Sequence, residues 1–115
     1  MTNKTNYEIV AQAAYDKKAK LIQILNMKEI TFMDDYVVIC SANSTKQTQS
    51  IADNIKDRMI EAGYEVYHTE GYRSGDWILL DMGDVVAHIF VQEEREYYDL
   101  DNLWCDAERV PFEGE

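Results

Sequence analysis

The fold class is decided by one continuous stretch, residues 35–71, with the sequence DYVVICSANSTKQTQSIADNIKDRMIEAGYEVYHTEG. Its first part, DYVVICSA at 35–42, is apolar on both faces, as expected of a strand in the centre of a sheet. Its last part, YEVYHTEG at 64–71, is predicted to be another strand. Because a strand, a helix of about 18 residues and a further strand follow in order, the two strands should be parallel with a right-handed crossover. The stretch therefore predicts an α/β fold.

The helix within this stretch carries its own start and stop signals. STKQ at 44–47 fits a capping box, in which the serine oxygen accepts a backbone N–H and the glutamine side chain reaches back. Gly63 suits the left-handed position just after a helix, so the helix should end near Ala62. One apolar stripe marks the side that should be buried: Ile51, Ala52, Ile55 and Met59.

The remaining segments complete a single layered domain over residues 1–115. Residues 6–18 have the spacing of a first helix, and KLIQILNM at 20–27 is predicted to be a strand. EEREYYDLDNLWCDA at 93–107 indicates a short final helix with one break, and Pro111 and the acidic end should be frayed. We expect a mixed sheet of about five strands with flanking helices.

The stretch WILLDMGDVVAHIF at 77–90 predicts a β-hairpin, because Gly83-Asp84 is a type II′ turn signal. Strand alternation gives this hairpin one wholly apolar face, which should be core. The other face mixes large apolar groups with one acid and one imidazole: Trp77, Leu79, Asp81, Val86, His88 and Phe90. Such a mixture is more typical of the centre of an interface than of a metal site, where three or four ligands converge.

Several residues of the hairpin also have a purely structural interpretation. Asp84 is accounted for by the turn. His88 could be a partly covered histidine bonded to Asp81, with its pKa raised if that carboxylate is close. Leu79 should lie opposite His88, and Asp81 diagonal to it. Trp77 could be core or an interface anchor, because it begins its strand on the face that carries Asp81 and His88.

The charge of the chain is strongly negative and uneven. The formal net charge is −11, and residues 91–115 contribute nine acidic against two basic side chains. A field of this sign repels nucleic acid unless a basic stripe compensates, and the only basic cluster in the sequence is Lys17, Lys18 and Lys20. We therefore expect little direct nucleic-acid binding and favour a basic protein as partner.

The composition indicates neither a membrane protein nor a secreted one. No apolar run approaches the roughly 20 residues of a membrane span, and the first residues, MTNKTNYEIV, match neither a secretory signal nor a transit peptide. Cys40 and Cys105 lack a Cys-x-x-Cys spacing, so we expect two reduced, buried thiols. The expected location is the bacterial cytoplasm, without membrane contact.

An enzyme is the competing class. Nucleotidyl transfer needs two or three carboxylates converging on magnesium and a loop that holds phosphates. Asp99-x-Asp101 is the only D-x-D, but it precedes or enters a helix, where its side chains point apart and serve better as caps or as partners of the helix dipole. No Gly-rich phosphate loop, nucleophile elbow or Cys–His pair is recognisable. We expect no catalytic residue, metal or cofactor; the alternative is a divergent nucleotidyltransferase, or a hydrolase using Asp81, His88 and a metal.

The hairpin and the residues after it resemble one known family. DWILLDMGDVVAHIF at 76–90, followed by EREYYDLDNLW at 94–104, is similar to the signature of the ribosomal silencing factor family, also called RsfS or Iojap. DYVVICSANS, the helix after it and Glu70-Gly71 follow in the same order, so the resemblance spans nearly the whole chain. Two departures are mild: LDNLW stands where the family usually has Leu-Glu-x-Leu-Trp, and the tail after Trp104 is short.

The resemblance implies a nucleotidyltransferase-like α/β fold without transferase activity, which binds the large ribosomal subunit through ribosomal protein L-fourteen. Such a protein keeps the small subunit away and lowers translation, chiefly when nutrients are short. The sequence does not separate this role from large-subunit assembly, and it leaves a homodimer open. The competing interpretation for Tyr98, Leu100 and Trp104 is packing of the final helix on the sheet. The expected partner-binding residues are Trp77, Leu79, Asp81, His88, Arg95, Tyr98, Leu100 and Trp104.

Overall fold

The computed structural model of the protein describes residues 5–28 and 35–112, apart from the side chain of Asp101. The helices in this part are α1 (Asn6–Asp16), α2 (Thr45–Glu61), α3 (Gln92–Tyr98) and α4 (Leu100–Leu103). The strands are β1 (Lys20–Asn26), β2 (Tyr36–Ala42), β3 (His68–Glu70), β4 (Trp77–Asp81), β5 (Val85–Val91) and β6 (Glu108–Val110). None of these helices is long and apolar enough to cross a membrane.

The strands form one mixed sheet in the order β3-β4-β5-β2-β1-β6. β2 and β5 are parallel, and the other neighbouring pairs are antiparallel. The predicted α/β class and the mixed sheet are confirmed, but the described sheet has one strand more than the five we expected.

The additional strand is β6, which pairs with the end of β1. Val110 and Phe112 alternate along this segment and pack against the core, although charged residues flank them in the sequence. The expectation that the chain is frayed from Pro111 onward is therefore wrong for Phe112, which packs against the core. Residues 113–115 lie outside the described part.

β2 and β3 run in the same direction, as predicted, but they are not neighbours. The hairpin of β4 and β5 lies between them. β5 is buried along its whole length, so it takes the central place beside β2. β3 has only three residues, which are largely exposed, and a short polar strand tolerates the sheet edge. The predicted strand at 64–71 is therefore a strand only at His68–Glu70.

Two hydrophobic clusters lie on opposite faces of the sheet. α1 and α2 cover one face and enclose the larger cluster, which contains the apolar hairpin residues Ile78, Leu80, Ala87 and Ile89 and the predicted stripe of α2. The segment of α3 and α4 covers part of the other face. The smaller cluster there contains Leu25, Met27, Val37, Ile39, Phe90 and Ala107.

The ends of the helices follow the sequence signals with two differences. Ser44 Oγ accepts the N–H of Gln47 at 3.1 Å as predicted, but Gln47 Oε1 accepts the N–H of Asn43, one residue before the cap. Gly63 has φ +92 directly after α2, which confirms the predicted stop. Asp99 separates α3 from α4 at φ +49, and its side chain makes no cap bond. The expectation of a side-chain cap is therefore wrong for Asp99, whereas its place directly before α4 fits the expected role as a partner of the helix dipole.

The two cysteines are free thiols in different surroundings. Cys40 is buried in the larger cluster, and burial raises the pKa of its thiol to about 12. Cys105 is exposed after α4, so the expectation of two buried thiols is wrong for this residue.

Candidate interaction surface

The turn between β4 and β5 places the predicted site residues on one face of the sheet. Gly83 has φ +87, and the Met82 N–H donates to the Val85 carbonyl at 3.0 Å, as in a two-residue hairpin turn. Leu79 lies opposite His88 in the observed register. The predicted hairpin and its register are therefore confirmed.

Trp77 and His88 are joined by a hydrogen bond across this hairpin. The indole Nε1–H of Trp77 donates to His88 Nδ1 at 3.0 Å. Because Nδ1 accepts, the neutral imidazole carries its proton on Nε2. His88 is only 7% exposed, and burial lowers its pKa to about 4. His88 is therefore neutral at physiological pH.

The expected bond between His88 and Asp81, with a raised pKa, is wrong. Asp81 Oδ1 instead accepts the backbone N–H of Gly83 at 3.1 Å, so the carboxylate supports the hairpin turn. An aspartate side chain can accept a hydrogen bond from the backbone N–H two residues further along the chain. In Asp81 this local bond takes the place of the diagonal contact with His88. The sequence contained a signal for the true partner of His88. A buried indole N–H needs an acceptor, and Trp77 lies on the same face of the hairpin as His88.

An aromatic cluster connects the hairpin to the last two helices. The Trp77 ring stacks on Phe90 at 4.9 Å between centroids and contacts Tyr98 of α3 at 4.6 Å. His88 contacts Trp104, just after α4, at 5.7 Å. These contacts place the residues of both sequence motifs in one continuous group.

Arg95 anchors α3 to the sheet from inside. Its guanidinium donates to the backbone carbonyl of Leu21 and to Ser41 Oγ, the second at 2.9 Å. The residue is 5% exposed. Burial of a charged side chain is costly unless hydrogen bonds offset the loss of water, so Arg95 stays buried only where it keeps these bonds, and they hold the helix against β1 and β2.

The side chains that remain accessible lie on the outer side of the cluster. Leu79, Asp81, Leu100 and Trp104 are half-buried, and Tyr98 is 45% exposed. Two residues that we did not predict are more open, since Tyr97 is 80% and Leu103 67% exposed. Helical geometry could have found them, because adjacent residues such as Tyr97 and Tyr98 cannot both face the sheet. We call this group the aromatic surface: Trp77, Leu79, Asp81, Tyr97, Tyr98, Leu100, Leu103 and Trp104.

The aromatic surface consists mainly of large aromatic and aliphatic side chains. Across residues 5–28 and 35–112, no three His, Cys, Asp or Glu side chains are grouped as a metal site would require. A groove between α1 and α2, lined by Ile9, Ala13 and Arg58 among others, is separated from the aromatic surface by the sheet. The aromatic surface thus offers large side chains and hydrogen-bonding groups to a partner.

The fold and this geometry define a small α/β domain with a closed helical layer on one face of its sheet and an exposed aromatic surface on the other. The family model described as "Ribosomal silencing factor during starvation" matches residues 1–115. The chain therefore belongs to the ribosomal silencing factor family.

Relatives and solved structures agree with this membership. The chain is 44% identical over 114 residues to "Ribosomal silencing factor RsfS" of Halalkalibacterium halodurans, covering 99% of this chain and 97% of the relative. The protein of that name from Bacillus subtilis is 46% identical, covering 93% and 91%. A crystal structure from Bacillus halodurans has a TM-score of 0.82 at 42% identity, covering 92% and 96% of the two chains. One from Chromobacterium violaceum has a TM-score of 0.86 at 29% identity, covering 100% and 95%.

Proposed function

We propose that this protein lowers translation by binding the large ribosomal subunit and blocking the joining of the small subunit, chiefly when nutrients are short. It acts in the bacterial cytoplasm and docks through ribosomal protein L-fourteen. The family description, silencing of ribosomes during starvation, supports the general role. The docking partner and the blocking of joining are our extension of that description.

The aromatic surface is the observation that carries this proposal. Tyr97, Tyr98 and Leu103 are large apolar side chains that stay exposed beside half-buried Trp77 and Trp104. Exposed apolar groups in one patch are typical of protein interaction sites, and Trp and Tyr are enriched among the residues that dominate binding energy. A partner that covers this surface would complete the layer that α3 and α4 leave unfinished.

The predicted residues divide into contacts and supports. Leu79 and Tyr98 are accessible for direct contact, and Asp81 can meet a basic side chain of the partner. His88 and Arg95 are buried, so we assign them a positioning role. His88 holds the Trp77 indole through its hydrogen bond, and Arg95 holds α3. Both supports fix the shape of the surface before binding, which lowers the entropy lost on association.

The acidic side chains around the surface favour a basic partner. Glu93 and Glu96 on α3 are exposed, as are Asp106 and Glu108 farther along the chain. Opposite charges steer encounter and reject wrong partners more than they add affinity. A basic ribosomal protein matches this field.

Steric exclusion suffices as the mechanism. A domain of 115 residues that occupies part of the joining face prevents the small subunit from reaching the same contacts. Affinity for the large subunit is then the whole activity, and neither a catalytic step nor a cofactor is needed.

Sedimentation with purified ribosomal subunits tests the proposal. The protein should sediment with large subunits and not with small ones, and it should lower the yield of joined ribosomes when added before the subunits are mixed. Equal binding to both subunits, or binding without an effect on joining, would contradict it. The isolated ribosomal protein L-fourteen should compete with the large subunit for the protein.

A further inference from the structure

The end of α1 and the start of α2 meet beside the start of β1 and the end of β2, in a region that the aromatic surface does not include. The side-chain amide of Gln47 donates to the backbone carbonyls of Lys17 and Lys18, at 3.2 and 3.1 Å. This contact joins two segments that are about 30 residues apart in the chain and brings the lysines after α1 beside the first turn of α2.

Two further lysines lie at the same junction. Lys46 directly precedes Gln47, and Lys20 pairs with Ser41 at the end of β2. The fold therefore extends the basic cluster of the sequence with a residue from another segment. We call this group the basic patch, and its four residues are all exposed: Lys17, Lys18, Lys20 and Lys46.

Helix stability explains the positions of some of these lysines but not of all four. Lys17 and Lys18 follow the C-terminal end of α1, where positive charge is favourable. Lys46 instead lies in the first turn of α2, where the helix dipole disfavours a cation and which contains no acidic residue. Lys18 also has φ +64, a conformation that glycine adopts at lower cost. In the sequence, Asp16 is the only acidic residue at positions 12–20, and its side chain accepts a hydrogen bond from Gln12.

We infer that the basic patch binds the phosphate backbone of ribosomal RNA on the large subunit while the aromatic surface binds a protein. This inference rests on the proposed function. The chain has 22 acidic and 11 basic side chains, so four lysines at one place form a local exception to its overall charge. The positive charge of these lysines is complementary to phosphate, which lysine binds as a compact point charge.

The position of the patch allows one partner to contact both surfaces. Arg95 of α3 is bonded to the carbonyl of Leu21 and to Ser41, and Lys20 adjoins both residues. The same helix ends at Tyr98 in the aromatic surface. α3 therefore connects the strand that carries Lys20 to the aromatic surface, and a composite face of ribosomal protein and RNA that reaches around the ends of β1 and β2 can cover both.

The overall negative charge limits the patch to a secondary contact. Free RNA is repelled by a chain of net charge −11, so the patch contributes once the protein contact has placed it against a phosphate. Each phosphate that a lysine neutralises releases counterions, which makes the affinity depend on salt concentration. This salt dependence provides the measurement.

The test compares two double variants with the same loss of charge. Lys17→Gln/Lys46→Gln removes half of the patch, and Lys28→Gln/Lys56→Gln is the matched control. Lys28 follows the opposite end of β1, and Lys56 lies ten residues along α2 from Lys46, about 15 Å away. Equal thermal unfolding of the two variants and the parent establishes that each is folded. Dissociation constants are measured for large subunits from low to high salt, and for the isolated ribosomal protein L-fourteen.

The patch variant should bind large subunits about tenfold more weakly than the control variant near 0.1 M salt, with a slope of log Kd against log salt smaller by about 1.5. Its affinity for the isolated protein should equal that of the control. Equal slopes for the two variants would overturn the inference and leave the proposed function intact. A matching loss of affinity for the isolated protein would also overturn it, because the lysines would then contact protein. If the parent does not bind large subunits, the proposed function fails and the inference fails with it.

Discussion

The two faces of the sheet are built from the same strands, but they are covered differently. Beneath α1 and α2 lies a closed layer of apolar side chains, in which Ile55 and Leu80 are wholly buried. Beneath α3 and α4 the cover is incomplete, and polar groups such as His88 and Arg95 are buried within it. One face therefore supplies most of the buried apolar contact, and the other combines modest burial with specific hydrogen bonds.

This difference indicates which changes should affect folding and which should affect binding. Apolar burial on the closed face stabilises the domain without specifying a partner. Hydrogen bonds such as that between Trp77 and His88 fix the orientation of rings that remain partly accessible. Substitutions should therefore act mainly on stability at the closed face and increasingly on binding toward the rim of the aromatic surface.

The largest effect is expected in the closed face. Ile55→Ala should lower the free energy of unfolding by about 4 kcal/mol, because a fully buried side chain is lost and a cavity remains. Urea denaturation measures this change. Ile60→Ala on the same helix, where Ile60 is 59% exposed, is the control and should change stability little. Similar losses in both variants would mean that the closed face is not the main source of stability.

The second largest effect is the pH dependence of stability that His88 causes on the face covered by α3 and α4. The folded pKa of His88 is about 4, below its ordinary value of 6.5, so between these values the unfolded chain binds a proton that the folded chain does not. The stability from neutral His88 is present above pH 6.5 and is lost as the pH falls toward 4, by about 3 kcal/mol at most. Denaturation of the parent and of His88→Asn across this window isolates the contribution. Parallel pH profiles would show that His88 titrates alike in both states.

The third effect should appear in both stability and binding. Trp77→Ala removes ring contacts with Phe90 and Tyr98, so we expect a loss of about 2 kcal/mol in unfolding free energy. Affinity for large subunits should fall by a further 2 kcal/mol, or about thirtyfold. Trp77→Phe keeps most of the ring packing but removes the donor to His88, so it separates packing from hydrogen bonding. A variant with lower stability and undiminished binding would make Trp77 a core residue only.

The smallest effect on folding is expected at the rim. Tyr97→Ala should leave the unfolding free energy within about 0.5 kcal/mol of the parent, because the side chain is largely exposed. It should nevertheless weaken binding to large subunits by about 1 kcal/mol, or fivefold. Ile60→Ala, an exposed apolar residue on the opposite layer, is the control and should bind normally. If both variants bind normally, the contact with the large subunit does not include Tyr97 of α3.

Much of the fold could be predicted because its signals are local. The cap at Ser44, the stop at Gly63 and the turn at Gly83 each depend on a few neighbouring residues, and all three appear where expected. β6 was missed because Glu108 and Arg109 precede Val110, and this short charged segment becomes a strand only beside β1. The likeness to nucleotidyltransferases stays a prediction.

The sequence motifs indicated which segments form the candidate site, but not which contacts each side chain makes. The sequence motifs grouped Trp77 and Trp104, and the structure places both in one aromatic cluster. The partner of His88 and the burial of Arg95 could not be predicted, because each depends on which distant groups lie within hydrogen-bonding distance. Helical geometry predicts that Tyr97 and Tyr98 do not both face the sheet, but which of the two is more exposed depends on the contacts that α3 makes.

The sequence by itself determined the α/β class, the hairpin register, α2 and the family. These follow from hydrophobic period, turn residues and motifs, which act over a few residues or are recognised directly. Tertiary structure alone decided that β2 and β3 are separated by the hairpin, that Asp81 supports the turn, and that Gln47 joins the start of α2 to the lysines after α1. These features depend on competition between segments for burial and hydrogen bonds, and that competition is resolved only when the whole domain packs.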